Sequence, residues 1–211
     1  MAESTARIER VVTHGSFWWD GQEFEVDNNV WLVGDDDRVI VIDAAHSATE
    51  ILAAIGGREV AAIICTHAHN DHVGAVPELR AATGAPVYLN PADGFLWEES
   101  VTERWDADLA DGAVFPIAGV ELRAIHTPGH TPGATCLYAE KLGTLFSGDT
   151  LFSGGPGATR FEYSDFGLII DSITDRLLSL PDDTVVCTGH GDSTTIGAER
   201  PDRQAWIDRG Y

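Results

Sequence analysis

Residues Thr66-His67-Ala68-His69-Asn70-Asp71-His72-Val73-Gly74 place three histidines and an aspartate within six positions, directly after the apolar run Ala61 to Cys65. Unpaired imidazole and carboxylate groups crowded near a core are costly, and protonating the imidazoles sets like charges against one another. A divalent metal ion removes both costs, because it takes neutral imidazole nitrogens and carboxylate oxygens as ligands. The spacing excludes the helical zinc arrangement with histidines at i and i+4. His67 and His69 are two apart, so their rings share a side only on extended backbone. Asp71 and His72 then point elsewhere, which indicates two metal positions rather than one.

Such a cluster needs a rigid support. Val60 to Cys65 reads as a buried strand with the cluster at its carboxyl end. Before it, Ile8 to Thr13 reads as a strand, and Asp20-Gly21 after Phe17-Trp18-Trp19 signals a hairpin near residues 11–27. Val30 to Val33 and Val39 to Ile42 read as further strands, and Ser47 as the cap of a helix through Ile55. A helix is expected over Gly74 to Thr83 with Gly84 as its stop, then a short strand, Pro86 to Leu89. Residues 91–116 read as a helical or irregular excursion over the sheet. Strands are expected at Val120 to Ile125, Thr135 to Ala139, Thr144 to Ser147 and Thr184 to Thr188. A helix capped by Ser164 runs to Leu180, and a last helix covers 197–209. Two blocks of strands, each with helices, imply an α/β sandwich of two sheets covered on both outer faces, one domain over residues 1–211. His67, His130, Asp149 and His190 all follow expected strands at their carboxyl ends, where loops converge and α/β proteins place chemistry.

Composition narrows the partners. The 211 residues are 44% apolar and 22% charged, as in an ordinary globular protein, but the net charge is -21. That charge argues against binding nucleic acid through phosphates and against an anionic membrane surface. Of 13 basic residues only Lys141 is a lysine, a usage that suits a GC-rich genome or a salt-adapted organism. Cys65, Cys136 and Cys187 show no C-x-x-C spacing, so a disulfide framework is not expected and a reducing cytoplasm fits. Met1 to Arg10 lacks the apolar core of a signal peptide, and no apolar run reaches the length of a membrane span. A cytoplasmic location is expected; the oligomeric state is not legible.

Taken together, Thr66-His67-x-His69-x-Asp71-His72, Pro128-Gly129-His130, Ser147-Gly148-Asp149-Thr150 and Thr188-Gly189-His190-Gly191 resemble the metallo-β-lactamase superfamily. The resemblance is strongest to its glyoxalase II branch, the hydroxyacylglutathione hydrolases, and runs from the first strand to His190. It implies an αββα sandwich with a dinuclear metal site at one edge. Carried over by position, His67, His69 and His130 hold the first metal, Asp71, His72 and His190 the second, and Asp149 bridges them. A carboxylate suits that bridge because it has two hard oxygens. Zinc is the expected ion, with iron and manganese also compatible. The implied chemistry is attack of a metal-bridging hydroxide on a carbonyl carbon, with Asp71 and Asp149 as the catalytic carboxylates. Asp149 stands where the true β-lactamases of the superfamily carry a cysteine, which counts against lactam hydrolysis. His69 stands where flavodiiron relatives carry a glutamate, which counts against oxygen or nitric oxide reduction.

A thiolate leaves readily because thiol pKa values lie near roughly 8.5, so a thioesterase needs no strong general acid. The favoured substrate is therefore a small acyl thioester. Arg160 and Tyr163, after the glycine-rich loop at 154–157, are candidates to grip a substrate carboxylate, and Trp18 to cover the substrate from its hairpin. His126 reads as a strand or supporting residue, His14 and His46 as structural or solvent-facing, and Cys65 and Cys187 as buried inert thiols. Only 21 residues follow His190, fewer than the helical glutathione-binding domain of full-length glyoxalase II requires. A thioester of another thiol, such as mycothiol, is therefore considered. The alternatives are a lactonase of the same superfamily and a non-catalytic metal-binding sensor.

Overall fold

The computed structural model describes residues 5–210. The first sheet is built from β1 (Arg7–Trp19), β2 (Gln22–Gly34), β3 (Arg38–Ile42), β4 (Glu59–Ile64), β5 (Val87–Leu89) and β6 (Ala107–Asp108), side by side in that order. Pairing is antiparallel from β1 to β3 and parallel from β3 to β6. Next come β7 (Val114–Ile117), β8 (Val120–His126), β9 (Thr135–Ala139), β10 (Thr144–Gly148), a small ribbon of β11 (Leu151–Phe152) and β12 (Gly155–Pro156), then β13 (Val185–Thr188) and β14 (Thr194–Thr195). The second sheet has the order β14-β13-β10-β9-β8-β7, with β10 and β13 parallel. The helices are α1 (Ala48–Ile55), α2 (Asn70–Val73), α3 (Val76–Thr83), α4 (Gly94–Ser100), α5 (Phe166–Ser172), α6 (Ile196–Glu199) and α7 (Arg203–Arg209).

Side-chain alternation explains the layering. Val30 and Leu32 of β2 face the helices α1, α3 and α4, while Trp31 and Val33 face the other sheet. In β3, Val39 and Val41 divide from Ile40 and Ile42 in the same way. A bulge in β4, where Ala61 is the unpaired residue, resets the phase. Beyond it Ile63 and Cys65 face the helices and Ile64 faces the second sheet. In that sheet, Leu122, Leu137 and Phe146 point inward, whereas Ile125, Cys136, Leu145 and Val186 pack under α5 and α7. Three apolar layers therefore separate four layers of secondary structure, the expected αββα sandwich. No helix among the described residues is long and apolar enough to cross a membrane.

Several boundaries differ from expectation. The hairpin turn at Asp20-Gly21 is present, but its strands are 13 residues each, and Val30 to Val33 is the inner end of β2. The polar stretch at residues 22–29 hid that continuity, because the outer part of the hairpin has little core to bury. The helix after the cluster begins at Asn70, not Gly74, and breaks before α3. Asp165, not Ser164, caps α5 by accepting from Leu168 N, while Ser164 Oγ donates to Phe161 O. That helix passes into a π-helical turn at Ile173–Leu177 instead of running to Leu180. The last helix is likewise divided, into α6 and α7 around a 3₁₀ turn at Arg200–Asp202. The excursion over 91–116 resolves into a 3₁₀ turn, α4, β6 and β7.

Two glycines are required at the loop edge. Gly148 has φ 49°, and a Cβ there would run into the Thr66 side chain. Gly189 has no room for a Cβ beside Asp149 and the His72 ring. Gly148→Ala is expected to lose about 1–3 kcal/mol of stability in chemical denaturation. Gly143, also left-handed but with open space around it, is the control. Alanine there is expected to cost about 1 kcal/mol. Equal losses at both sites would show that the Thr66 contact carries no penalty.

Candidate metal centre

Five chain segments deliver the site. Asp43 leaves β3 in a left-handed conformation, φ 57°, which turns its carboxylate onto the end of β4. There Oδ1 accepts from Thr66 N at 2.7 Å and Oδ2 from Thr66 Oγ1 at 2.8 Å. His69 is extended (φ -63°, ψ 146°) and is the cap position of α2, whose single turn carries Asp71 and His72. The change of backbone between His69 and Asp71 is what sends the two pairs in different directions. His130 comes from the loop after β8, Asp149 follows β10, and His190 follows β13. The sheets are tied at this edge by Thr135 N to Thr66 O, 2.8 Å, and Asn29 N to Gly189 O, 2.7 Å.

These segments produce two triads. His67 Nε2 and His130 Nε2 lie 3.0 and 3.1 Å from His69 Nδ1. His190 Nε2 lies 3.2 Å from His72 Nε2 and 3.3 Å from Asp71 Oδ2. Each group is close enough to share one ion. Asp149 stands between them: Oδ1 is 3.3 Å from His72 Nε2, and Oδ2 is 3.4 Å from His190 Nε2 and 3.7 Å from His130 Nε2. All seven residues proposed from the sequence therefore meet at one place.

Outer partners determine which ring nitrogen carries the proton. His130 Nδ1 faces the Ala158 carbonyl at 2.7 Å, and His190 Nδ1 faces the Asp27 carbonyl at 2.8 Å. A carbonyl only accepts, so both rings hold their proton outward. His72 Nδ1 donates to Asp43 Oδ2 at 3.0 Å. Thr66 Oγ1, having given its own proton to Asp43, accepts from His67 Nδ1 at 3.1 Å. His69 is turned the other way, with Nε2 2.7 Å from the Tyr163 hydroxyl. In the neutral rings of His67, His72, His130 and His190 the inward nitrogen is a bare lone pair; the Tyr163 hydroxyl can give or accept, so His69 matches them when its proton is on Nε2, and the carboxylate oxygens complete the inward set. Asp71 Oδ1 and Asp149 Oδ1 are buried with no hydrogen-bond partner. A set of acceptors with one amide donor, Asn28 Nδ2, among them fits divalent cations, and the outer partners are those that orient metal-binding imidazoles.

The proton balance divides along the same line. Burial, reinforced by the neighbouring rings, holds His67 far below the usual histidine range and His69 down to about 3, and burial also lowers His130. Burial opposes charge on His72 and His190 as well, but the carboxylates of Asp149 and Asp71 overcome it, raising His72 strongly and His190 to about 10. Asp71, despite its burial, is held down to about 2 by His72 and His190. Without an ion, protons on His72 and His190 neutralise the carboxylates; an ion taking that place releases them.

Sequence reasoning missed the second layer of supports. Asn28, fully buried on β2, donates from Nδ2 to Asp71 Oδ2 at 3.1 Å, and its Oδ1 accepts from His46 Nε2 at 2.7 Å. Asn29 Nδ2 and Trp31 Nε1 both donate to the Thr188 carbonyl at 3.0 Å, fixing the strand end before His190. Asp93, 0% exposed, joins the two loops of the first triad: Oδ2 accepts from Ala68 N and Thr131 Oγ1, and Oδ1 from Gly133 N. Paired asparagines inside an otherwise apolar strand end, and an aspartate in the turn before α4, were the available signals. His126 bonds the Pro132 carbonyl, His14 bridges Glu25 and Asp27 in solvent, and all three cysteines are buried and free.

Of the substrate candidates, Tyr163 is in the site through His69. Trp18 is 57% exposed at the tip of the first hairpin and lines the adjoining cavity. Arg160 is not brought to the triads; its guanidinium lies 5.4 Å over the Trp19 ring.

Known proteins agree with this geometry. The profile of the metallo-beta-lactamase superfamily matches residues 24–190. A hydroxyacylglutathione hydrolase, GloC, of Haemophilus influenzae is 34% identical over 189 residues, covering 82% of this chain and 89% of the relative. The crystal structure of TTHA1623 in a di-iron-bound form is 34% identical with a TM-score of 0.75 and covers 83% of this chain and 93% of that one. The B3 metallo-beta-lactamase BLEG-1 is 30% identical with a TM-score of 0.74, covering 90% and 97%. With the αββα layers, the His/Asp clusters at their edge and a matching profile over residues 24–190, this chain belongs to the metallo-beta-lactamase superfamily, whose fold and side-chain clusters imply divalent metal ions.

Proposed function

We propose that this protein is a dinuclear metal-dependent hydrolase of a small acyl thioester. The observation that carries the reading is the pair of inward-facing triads joined through Asp149. His67, His69 and His130 would hold one ion, Asp71, His72 and His190 the other, and Asp149 would contribute one oxygen to each. When bound, a pair of divalent ions makes hydroxide available near neutral pH and withdraws charge from a carbonyl oxygen. Zinc, iron and manganese all suit the nitrogen and oxygen donors.

The chain's own groups complete the arrangement. Asp43, Thr66, Asn28 and the Ala158 and Asp27 carbonyls hold the rings and Asp71 in place, so little reorganisation is needed when substrate arrives. Phe17 and Phe161 pack on the His69 ring, at 5.5 and 4.9 Å between centroids, and keep that side apolar. With Nδ1 committed to an ion, His69 Nε2–H would donate to the Tyr163 hydroxyl, leaving that hydroxyl's own proton free to face a substrate. Burial raises that phenol further above its usual range, with Glu99 adding to the effect, so it can donate a hydrogen bond but is a poor source of a proton. Outside the two triads no described group beside the cleft is poised to protonate an amine as it leaves. A thiolate needs no such help, which supports a thioester over an amide. The likeness to a hydroxyacylglutathione hydrolase supports the same choice.

The direct test is a hydrolysis panel of acyl thioester, lactone and β-lactam with metal-loaded protein, together with metal analysis. Thioester cleavage and about two ions per chain are expected; the likeness to a B3 lactamase gives the lactam arm its purpose. Cleavage of lactone or lactam with an inert thioester would replace the reading. Asp149→Ala is expected to lower kcat about a hundredfold or more and to reduce the stoichiometry. An unchanged ion count near one in both proteins would refute the bridged pair.

The proton balance supplies an independent test by thermal unfolding. The lowered values of His67, His69 and His130 contribute stability above the ordinary histidine value of 6.5, lost as pH falls toward about 3. The raised values of His72 and His190 contribute stability below 6.5, lost as pH rises toward about 10. Asp93, raised by burial to about 6, works against the acid limb but is one group against three. Metal-free protein is therefore expected to be most stable near pH 6.5, and metal loading is expected to abolish the alkaline fall. An alkaline limb that persists unchanged with metal would mean that ions do not replace those protons.

A further inference from the structure

Beside His69 lies a cavity of about 160 Å³ that the metal chemistry itself does not use. Phe17, Trp19, Phe161 and Tyr163 form its walls, with Phe161 and Tyr163 stacked at 5.3 Å and 5° and Phe17 and Trp19 set edge-on to Phe161. Asp20 and Glu99, both exposed, are its charged lining residues, and it contains no lysine or arginine among the described residues. Arg160 is outside the lining and lies over the Trp19 ring. Trp19 thus already accepts a cation on its π system. Aromatic faces and carboxylates together attract onium groups and repel anions.

We propose that this cavity seats the thiol arm of the substrate and admits uncharged or cationic arms while rejecting those that carry a carboxylate. The inference rests on the thioester reading and names a substrate class for it. The thiol arm is the part that must depart, and the cavity opens past exposed Trp18 and Glu99, whereas the acyl carbon has to stay by Asp149 in the buried cleft. A carboxylate entering here meets two like charges and neutral donors such as the Tyr163 hydroxyl, but no cation in the lining. A trimethylammonium or hydroxyalkyl arm meets aromatic faces and hydrogen-bond acceptors.

A matched series tests this with the full metal-loaded chain: acetyl thioesters of 2-mercaptoethanol, thiocholine and 3-mercaptopropionate, read by thiol release. The first two are expected to exceed the third in kcat/KM by about tenfold at low ionic strength, with the gap narrowing as salt screens the charges. Glu99→Gln combined with Asp20→Asn is expected to speed the anionic thioester selectively. Quenching of Trp18 and Trp19 fluorescence by the S-methyl thioethers of the same thiols reads the charge preference without catalysis. Preference in binding with no thioester cleaved would sustain the cavity's selectivity and reject the thioesterase reading. Cleavage with the anionic arm equal or favoured would overturn the cavity inference alone. Loss of such an anionic preference in Arg160→Ala would assign it to Arg160.

Discussion

The site gathers lone pairs and carboxylate oxygens into one buried pocket and offers them a single amide donor, Asn28 Nδ2. Four imidazoles are turned by their outer partners so that an acceptor faces inward, His69 brings Nδ1 beside them, and Asp71 and Asp149 each add an oxygen that has no hydrogen-bond partner of its own. That imbalance is tolerable only when positive charge enters, as protons on His72 and His190 or as metal ions. Much of the surrounding structure serves to hold the imbalance in place. Asp43 reaches from one strand end to the next, Asn29 and Trp31 reach from the first sheet to the second, and Asp93 reaches from the turn before α4 to both loops of the first triad.

The αββα layering makes this possible without burying irregular backbone in the core. Parallel neighbours β3 and β4 in one sheet, and β10 and β13 in the other, end at the same edge. Their following residues, Asp43 and Thr66 on one side and Asp149 and His190 on the other, then meet across the seam between sheets. Side chains at that seam are near water for substrate access but are backed by rigid strands, which keeps reorganisation small. Gly148 and Gly189 are what allow the two sheets' loops to approach so closely.

Substrate choice belongs to different elements from those that hold the metal. The first hairpin and the segment at 161–163 wall the space beside His69 with aromatic rings, and α4 adds Glu99 to its rim. The hairpin extends beyond the core, with Trp18 and Phe24 exposed near its tip. These outer elements can change without disturbing the edge that gathers the His/Asp clusters, which is how one fold hosts many substrates.

The local sequence was enough to identify the metal-type residues, because imidazole and carboxylate spacing is itself a chemical signal. His67 and His69 at i and i+2 required extended backbone, and the strands before His130, Asp149 and His190 were legible as short apolar runs. Turn chemistry placed the hairpin at Asp20-Gly21 and the cap at Ser47. Only the tertiary structure decided which nitrogen of each ring faces inward, because that depends on carbonyls and hydroxyls from distant segments such as Ala158, Asp27 and Tyr163. It also decided the roles of Asn28, Asp43 and Asp93, polar residues whose meaning lies in what they touch. Ligand type is a local property of the chain; orientation, protonation and the shape of the neighbouring cavity are properties of contacts between segments far apart in it.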